Sequence, residues 1–309
     1  MSAVAAINPL YEEIAKQISL ASGEPFRARH PHTRGGGCIS ESVVLEDGAR
    51  MFFIKINRAE RLPMFEAEAA GLHRLAATQT LRVPEPLLCG TAGSPTHAQA
   101  FIVLEYLPIV DSDAPERFAE QLVALHQHSS ELFGLESDNF IGTTPQENTQ
   151  HTDWVSFWAS CRLQPQLERA RQNGLAPSTL ELAEQLTAAL PSFFTDYQPR
   201  PSLLHGDLWG GNYGYVEQGN GGHPEPVIFD PAVYYGDREV DIAMTELFGG
   251  FPPRFRHAYD AAWPLDPGYG VRRQLYNLYH VLNHFNLFGE GYTAQCQRLV
   301  LRLLSELRA

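Results

Sequence analysis

An aspartate and an asparagine, Asp207 and Asn212, lie five positions apart in a glycine-rich stretch, and Asp230 follows at the end of the next apolar run. This spacing suits phosphoryl transfer to a hydroxyl group. In that reaction an aspartate orients and deprotonates the hydroxyl, while an asparagine and a second aspartate hold Mg²⁺. Any one of the three residues alone would also fit a turn or the cap of a strand. Together they predict a phosphoryl-transfer site with Asp207 as base and Asn212 and Asp230 as metal ligands.

The elements around these residues must bring them together. The runs 213–216 and 226–230 are rich in apolar and aromatic residues and predict two strands, joined by a glycine-rich turn. Asn212 precedes the first strand and Asp230 ends the second. The two residues are therefore expected to converge at the open end of one hairpin.

A lysine and a glutamate nearer the N-terminus are candidates for a phosphate clamp. Lys55 alternates with apolar residues in a strand-like run, and the chain has only one other lysine, Lys16. A buried ammonium group needs a partner. Helical spacing over 64–76 places Glu68 on the apolar face of the next helix and turns Glu66 towards solvent. We therefore expect Lys55 to pair with Glu68 and to contact nucleotide phosphates, with an exposed edge-strand lysine as the alternative.

Two further segments are candidates for nucleotide binding. Gly35, Gly36 and Gly37 lie between strand-like runs, where glycines let the backbone approach phosphate closely. No Walker motif occurs, and an ordinary turn is the alternative. At the end of the apolar run 101–107, the carbonyl of Glu105 and the N–H of Leu107 are candidates for pairing with adenine. A simple buried strand is the alternative there.

Other polar residues are candidates for supporting the catalytic loop or for binding a metal. Asp241 begins a helix-like run and either caps that helix or accepts hydrogen bonds from the backbone of the catalytic loop. His205, at the start of that loop, is a second supporting residue. His280 and His284 are one helical turn apart, but no glutamate lies beside the first, so a zinc site is not expected.

The composition predicts a globular protein with an acidic C-terminal part. Of the 309 residues, 44% are apolar, and no run approaches the roughly eighteen apolar residues of a membrane helix. The net charge is −13, and residues up to 107 hold ten basic against eleven acidic side chains. The rest of the chain holds thirteen against twenty-five. The negative electrostatic field of this acidic part argues against nucleic-acid binding and mildly favours a cationic small substrate. A solvated acidic surface is the alternative.

The N-terminus and the cysteines indicate the compartment. The first twenty residues include Glu12, Glu13 and Lys16 instead of a basic segment followed by an apolar run, so a cytoplasmic protein is expected. The four cysteines lie far apart and predict neither a disulfide framework nor a zinc knuckle.

The pattern of elements changes near residue 107. Before it, a small mixed sheet with one main helix is expected, after a short amphipathic helix over 8–20. The predicted elements of this part are strands at 42–45, 50–56, 87–89 and 100–107 and a helix at 64–76. Beyond it the pattern is mostly helical, with capped helices predicted to begin near Asp113 and Ser178, and a long helix around 275–285.

Together these motifs resemble the protein-kinase-like fold, and specifically the fructosamine kinase (ketosamine kinase) family. Residues 205–212, His-Gly-Asp-Leu-Trp-Gly-Gly-Asn, are similar to the catalytic signature of that family. Residues 35–39 are similar to its nucleotide loop, and residues 64–68 to its helix. Three further stretches extend the resemblance over nearly the whole chain: 139–146, 246–251 and 275–280.

The resemblance implies an α+β, two-lobed fold. Residues 1–107 would form a small nucleotide-binding lobe with an antiparallel sheet and one key helix. Residues 108–309 would form a larger, mostly helical lobe with the catalytic loop, metal site and substrate pocket. Two departures from protein kinases, His-Gly-Asp for His-Arg-Asp and Asp-Pro-Ala for Asp-Phe-Gly, argue against regulation by activation-loop phosphorylation.

The resemblance also implies an activity. ATP and Mg²⁺ would be used to phosphorylate the sugar 3-hydroxyl of a ketosamine, either a small molecule or a glycated lysine on a protein, as a step in deglycation repair. Trp209 would stack on the sugar, with packing in the core as its alternative. Two other functions stay open: a kinase for another hydroxylated amine, such as an aminoglycoside or choline, and a nucleotide-binding module without catalysis. The intact set of polar residues speaks against the second, and the sequence makes no prediction of oligomeric state.

Overall fold

The computed structural model describes residues 8–33, 39–94, 96–218 and 222–308. The predicted mixture of helix and sheet is confirmed. The helices are α1 (Pro9–Ser22), α2 (Leu62–Ala77), α3 (Pro115–Gln127), α4 (Trp154–Phe157), α5 (Gln164–Gln172), α6 (Pro177–Ala188), α7 (Glu239–Leu247), α8 (Pro253–Ala262), α9 (Tyr269–Phe288) and α10 (Thr293–Glu306). A π-helix, Trp158–Leu163, joins α4 to α5. No described helix combines the length and the apolarity needed to cross a membrane.

The described residues also form twelve short strands. They are β1 (Arg29–Thr33), β2 (Glu41–Glu46), β3 (Met51–Arg58), β4 (Pro86–Ala92), β5 (Gln99–Glu105), β6 (Ile109–Val110), β7 (Asn139–Ile141), β8 (Thr144–Gln146), β9 (Ser202–Leu204), β10 (Tyr213–Val216), β11 (Glu225–Ile228) and β12 (Tyr234–Gly236).

The chain divides into two compact units. The first comprises residues up to Ser112 together with Gly214–Phe229, and the second comprises Asp113–Tyr213 and Asp230–Ala309. The hairpin segment 214–229 thus belongs with the first unit, whereas the sequence places it beyond the expected boundary at 107. The physical reason is strand pairing, because β10 is hydrogen-bonded both to β11 and to the short strand β6.

The first unit is built on a five-stranded sheet. Its strand order is β1-β2-β3-β5-β4, and every adjacent pair is antiparallel. The predicted hairpin of β2 and β3 is confirmed. Ile54 and Ile56 on β3 pack into a core with Ile14 and Ile18 of α1. Because side chains alternate along a strand, Lys55 points to the opposite face of the sheet.

The second unit is organised around α9. This helix packs against α5, α7 and α10. The predicted apolar stripe of α9 is confirmed, since Leu275, Leu278, Leu282 and Phe285 are all buried in one cluster. The helix α10, which the sequence pattern does not separate from α9, follows after a short 3₁₀ turn and buries Leu303 and three other apolar residues.

Two predicted helix caps are wrong. Helix α6 begins at Pro177 with Ala176 as its N-cap, so Ser178 lies inside the helix and caps nothing. Helix α3 begins at Pro115 with Ala114 as its N-cap and no capping side chain. In both cases a proline occupies the first helical position, where its missing N–H and its restricted φ favour helix initiation.

A pair of short strands aligns the two segments that carry the candidate catalytic residues. Strand β9 pairs with β12, and Leu204 lies opposite Tyr234. β9 ends immediately before His205, and β12 begins shortly after Asp230. The loop after β9 and the loop before β12 therefore run side by side.

Candidate active site

The structure brings Asp207, Asn212 and Asp230 together within the second unit. The Asn212 side-chain nitrogen Nδ2 lies 2.9 Å from the Asp207 carbonyl oxygen and 3.3 Å from the Asp207 Oδ2. It also lies 3.5 Å from the carbonyl oxygen of Asp230. One amide group thus links both loops, and the three residues predicted from their spacing converge.

Asp230 has an unusual backbone conformation. Its φ is +58°, and Gln79 is the only other non-glycine residue with a positive φ among those that the structure describes. The left-handed region is sterically unfavourable for a residue with a side chain, and such strain concentrates at functional sites. The backbone around Asp230 is therefore held by its surroundings in a conformation that local preference disfavours.

The carboxyl group of Asp207 has a perturbed proton affinity. Burial raises its pKa to about 7, with further increases from the negative charges of Asp230 and Asp241 and an opposing hydrogen bond from Asn212. Asp207 nevertheless keeps partial solvent exposure. A base whose pKa lies near neutral pH is well matched to proton transfer.

The donor set of Asn212 and Asp230 fits Mg²⁺. Because Nδ2 of Asn212 makes the hydrogen bonds, Oδ1 is the end of the amide that can bind a cation. Asp230 adds carboxylate oxygens. Mg²⁺ prefers such oxygen ligands and is commonly held by one or two protein groups together with phosphate oxygens. A cation here would also offset the repulsion between Asp207 and Asp230.

Asp241 holds the backbone at the start of the catalytic loop. Its carboxylate accepts hydrogen bonds from the N–H of His205 at 2.7 Å and from the N–H of Gly206 at 2.9 Å. Asp241 lies within the first turn of α7, whose N-cap is Arg238, so it does not cap that helix. Burial opposes its ionisation, but hydrogen bonds and nearby histidines keep the pKa of Asp241 below its usual value.

His205 adds a further contact inside the loop. Its Nδ1 accepts a hydrogen bond from the backbone N–H of Asp207 at 3.2 Å. Its carbonyl oxygen accepts one from Ala232 N–H at 2.8 Å, which ties the catalytic loop to the segment after Asp230. His205 thus lies where a positioning residue for Asp207 would be expected.

His126 and Tyr259 contact this group, although the sequence offered no signal for either. Nε2 of His126, near the end of α3, lies 3.1 Å from Oδ2 of Asp241, and both residues are fully buried. Nδ1 of His126 lies 2.7 Å from the hydroxyl of Tyr259 on α8, which also accepts from Arg238 at 3.2 Å. The carboxylate of Asp241 can only accept, so Nε2 of His126 carries a hydrogen and donates it to Oδ2 of Asp241.

Two buried amides hold the segment after Asp230. Asn139 on β7 donates to the Val233 carbonyl at 2.7 Å. Gln146 on β8 donates to the Ala232 carbonyl at 3.2 Å and to Oδ1 of Asn139 at 2.8 Å. The sequence singled out 139–146 only through the family resemblance. These bonds explain why amides stand at both ends of that hairpin.

In the first unit, the structure places Lys55 and Glu68 in direct contact. Nζ of Lys55 lies 2.6 Å from Oε1 of Glu68, and both side chains are almost buried. Glu66, two positions earlier on α2, is exposed, as the helical spacing predicts. An ion pair of this kind fixes the direction of the lysine side chain.

The structure describes only some of the other candidate nucleotide-binding residues. Gly35, Gly36 and Gly37 lie outside the described residues. Glu105 ends β5; its N–H donates to the Glu85 carbonyl at 2.8 Å, and its carboxylate pairs with Arg82. Glu105 and Leu107 line a cleft of about 440 Å³ in the first unit.

Trp209 lies at the surface of the catalytic loop. Its side chain is 40% exposed, so packing in the core does not explain it. The ring folds over Gly211, where a Cβ atom would come within 2.3 Å of it. Only glycine at 211 permits this ring position. The rings of Trp209 and Phe248 lie nearly perpendicular to each other, with centroids 6.5 Å apart.

Comparisons with known proteins agree with this arrangement. The family model described as fructosamine kinase matches residues 10–306. A protein of Synechocystis sp. named probable ketoamine kinase is 45% identical over 298 residues, which cover 95% of this chain and 97% of that protein. The chloroplastic protein-ribulosamine 3-kinase of Arabidopsis thaliana is 36% identical, over 98% of this chain and 91% of its own.

Solved structures extend the likeness to three dimensions. A crystal structure from Haemophilus somnus, named for fructosamine-3-kinase, has a TM-score of 0.85 and 29% identity and covers 96% of this chain and 98% of its own. An aminoglycoside phosphotransferase has a TM-score of 0.60 at 17% identity, over 94% of this chain and 98% of its own, which is a likeness of fold alone. A family model that spans almost the whole chain, with such relatives, identifies the protein as a member of the fructosamine kinase family.

Proposed function

We propose that the protein is an ATP-dependent kinase that phosphorylates the 3-hydroxyl of the sugar in ketosamines. The observation that carries the proposal is the convergence of Asp207, Asn212 and Asp230 around one amide group. The printed names of the ketoamine kinase and ribulosamine 3-kinase relatives support the substrate class. Release of the amine after phosphorylation, and thus a role in deglycation, is the finer part of the proposal.

In the proposed reaction, Asp207 accepts the proton of the sugar hydroxyl as its oxygen bonds to the γ-phosphorus of ATP. The bond from that phosphorus to the bridging oxygen breaks, and ADP leaves with the electron pair. The raised pKa of Asp207 suits it to take up this proton near neutral pH. Asp241 holds the peptide N–H groups of His205 and Gly206, and His205 accepts a hydrogen bond from the N–H of Asp207.

The nucleotide is assigned to Lys55, and the metal to Asn212 and Asp230. Lys55, oriented by Glu68, would contact ATP phosphates, and Gly35 to Gly37, Glu105 and Leu107 would complete nucleotide binding. Mg²⁺ bound by oxygen atoms of Asn212 and Asp230 would neutralise phosphate charge. The exposed ring of Trp209, two residues from the base, is assigned to stacking on the sugar.

The proposal is tested by supplying ATP and Mg²⁺ with fructosyl and ribulosyl adducts of Nα-acetyl-lysine. Formation of ADP and a phosphorus NMR signal coupled to the C3 proton are expected. Aminoglycosides, choline and the free sugars serve as competing acceptors. Phosphorylation of only those competitors, or full activity in the Asp207→Asn variant, would refute the proposal.

A further inference from the structure

Exposed aromatic side chains form a row on the second unit. Among the large apolar residues that the described chain exposes, the aromatic members are Trp209, Phe248 and Phe288, exposed by 40%, 38% and 47%. All three belong to one row. The ring of Phe248 lies 6.5 Å from Trp209 and 4.7 Å from His284, and His284 lies 5.5 Å from Phe288.

The row continues on the last turn of α9 and beyond it. Tyr292, which follows α9, lies 5.2 Å from the ring of His284 and 6.4 Å from that of Phe288. Tyr292 is partly buried and packs against the hydrophobic core of the second unit, so the core supports this end of the row. Contiguous exposed apolar surface, in contrast to scattered single residues, is typical of ligand-binding and interaction sites.

His284 gives this row a hydrogen-bond acceptor. Its Nδ1 lies 2.8 Å from the carbonyl oxygen of His280. A carbonyl can only accept, so Nδ1 carries the hydrogen and Nε2 carries a lone pair. Burial lowers the pKa of His284, which keeps the ring neutral. A neutral imidazole with a lone pair can accept a hydrogen bond from a cation.

We infer that this row, from Phe248 through His284 to Phe288 and Tyr292, binds the amine-bearing part of the substrate. The inference rests on the proposed function and names the group that recognises the amine. A ketosamine nitrogen is a secondary amine that is protonated near neutral pH. Aromatic rings attract such a cation, and Nε2 of His284 can accept its N–H. The alkyl chain beyond the nitrogen, as in a lysine adduct, would cover Phe288 and Tyr292.

Continuity with the catalytic loop argues for this occupant. The row starts at Trp209, where the sugar is assigned, and the amine is the substituent that the sugar of a ketosamine carries. The net charge of the protein, −13, adds a general attraction for a cationic ligand. A substrate with a longer alkyl chain should therefore gain affinity that a short one cannot.

Two ketosamines with the same sugar test the inference. One carries methylamine and the other carries the ε-amine of Nα-acetyl-lysine. For the unmodified protein, kcat/KM should favour the lysine adduct by about tenfold, since its alkyl chain covers apolar surface. In Phe288→Ala the preference should fall to about twofold or less. Phe288→Leu, which keeps an apolar side chain, should be intermediate.

Leu301→Ala is the matched control. Leu301 on α10 is exposed to a similar extent, 49%, but has no part in the row. This variant should keep the tenfold preference. His284→Phe, which retains a ring without the acceptor, should raise KM for both adducts and leave kcat within about twofold.

The outcomes separate this inference from the proposed function. If neither ketosamine is phosphorylated by the unmodified protein, the proposed function fails and the inference fails with it. If both are phosphorylated but Phe288→Ala changes their kcat/KM values equally, or not at all, the inference alone is overturned. Thermal unfolding of each variant identifies any loss that comes from misfolding.

Discussion

The backbone N–H of Gly206 donates a 2.9 Å hydrogen bond to Oδ1 of Asp241, a residue 35 positions further along the chain. The neighbouring N–H of His205 donates to the other oxygen of the same carboxylate at 2.7 Å. One buried carboxylate on α7 therefore orients two successive peptide groups just before Asp207. The position of the candidate base therefore depends on this distant contact as well as on the hydrogen bonds inside its own loop.

Asp207→Asn should lower kcat by about 10²-fold or more, because the amide cannot accept the proton of the hydroxyl. The fold should persist, since the change also removes the repulsion from Asp230. Steady-state kinetics with saturating ATP and a thermal unfolding scan give both quantities. A variant that unfolds at the same temperature and keeps its turnover would contradict the assigned role.

Glu68→Gln should lower kcat/KM for ATP by about tenfold or more, because Lys55 loses the charge that orients it at 2.6 Å. Glu66→Gln is the matched control, since Glu66 lies on the same helix but is exposed. The control should behave as the unmodified protein does. If kcat/KM for ATP fell equally in the two variants, the cause would be the lost charge on the helix and not the contact with Lys55.

Gly206→Ala should be among the most destabilising single changes in the chain. Gly206 has φ +84°, and a Cβ atom there would come within 2.0 Å of the Ala232 carbonyl oxygen. Gly174→Ala is the matched control, with φ +86° and no atom within 4 Å of the added Cβ.

Gly174→Ala therefore measures the cost of the positive φ alone, about 1 kcal/mol. Gly206→Ala should lower the free energy of unfolding by about 3 kcal/mol or more, because the carbonyl or the loop must also shift. Urea denaturation of both variants checks the difference. Similar losses would mean that the loop accommodates the added methyl group.

His126→Phe should lower the free energy of unfolding by about 1–3 kcal/mol, because the buried carboxylate of Asp241 loses a donor. It should also lower kcat more than it changes KM for ATP, since the carboxylate of Asp241 positions the backbone of the catalytic loop. His128→Phe, at the exposed end of the same helix, should change stability by no more than about 0.5 kcal/mol. A His126 variant with lower stability but unchanged kcat would limit His126 to a structural role.

His280 should make the protein sensitive to acid. Its ring is fully buried, and neither nitrogen has a hydrogen-bond partner in the described part of the chain. Burial is the main cause that lowers the pKa of His280 to about 3. The unfolded chain then binds the proton more tightly than the folded one, so stability is retained above about pH 6.5 and lost as the pH falls from there towards 3.

Between pH 7 and pH 5 the unmodified protein should lose about 2 kcal/mol from this group alone. His280→Leu should lack that part of the loss, although its stability at pH 7 can differ for reasons of packing. Urea denaturation of both proteins at the two pH values provides the comparison. Parallel losses in the two proteins would show that His280 is charged or hydrated in the folded state.

Local periodicity explains why much of the first unit could be predicted. Alternation along β3 separates Lys55 from Ile54 and Ile56, and the helical period of α2 separates Glu68 from Glu66. Both patterns depend only on neighbouring residues. The Lys55–Glu68 contact could therefore be expected from the sequence, and the structure places the two atoms 2.6 Å apart.

Signals for helix ends were less reliable. Ser178 and Asp113 have the residue types of caps, yet each helix begins beside a neighbouring proline. A capping side chain contributes only about 1 kcal/mol, so the fixed φ of proline and the packing of the helix can outweigh it.

The supporting residues of the catalytic loop could not be found from the sequence. His126 lies 115 positions from Asp241, and Tyr259 lies 133 positions from His126. A buried histidine in an amphipathic helix carries no local mark of its partner. Asn139 and Gln146 are likewise ordinary polar residues until their amides are seen on the carbonyls of Val233 and Ala232.

The sequence by itself determined which residues are candidates for the chemistry, because the residue types at 207, 212 and 230 and their spacing predict a base with two oxygen ligands for a metal. Only the tertiary structure decided how these groups are held, since Asp241 and His126 reach the loop through contacts between distant segments. The tertiary structure also decided where the exposed aromatic rings of Trp209, Phe248 and Phe288 meet. Local preferences act over a few residues, whereas burial and hydrogen bonding between distant segments require the folded chain.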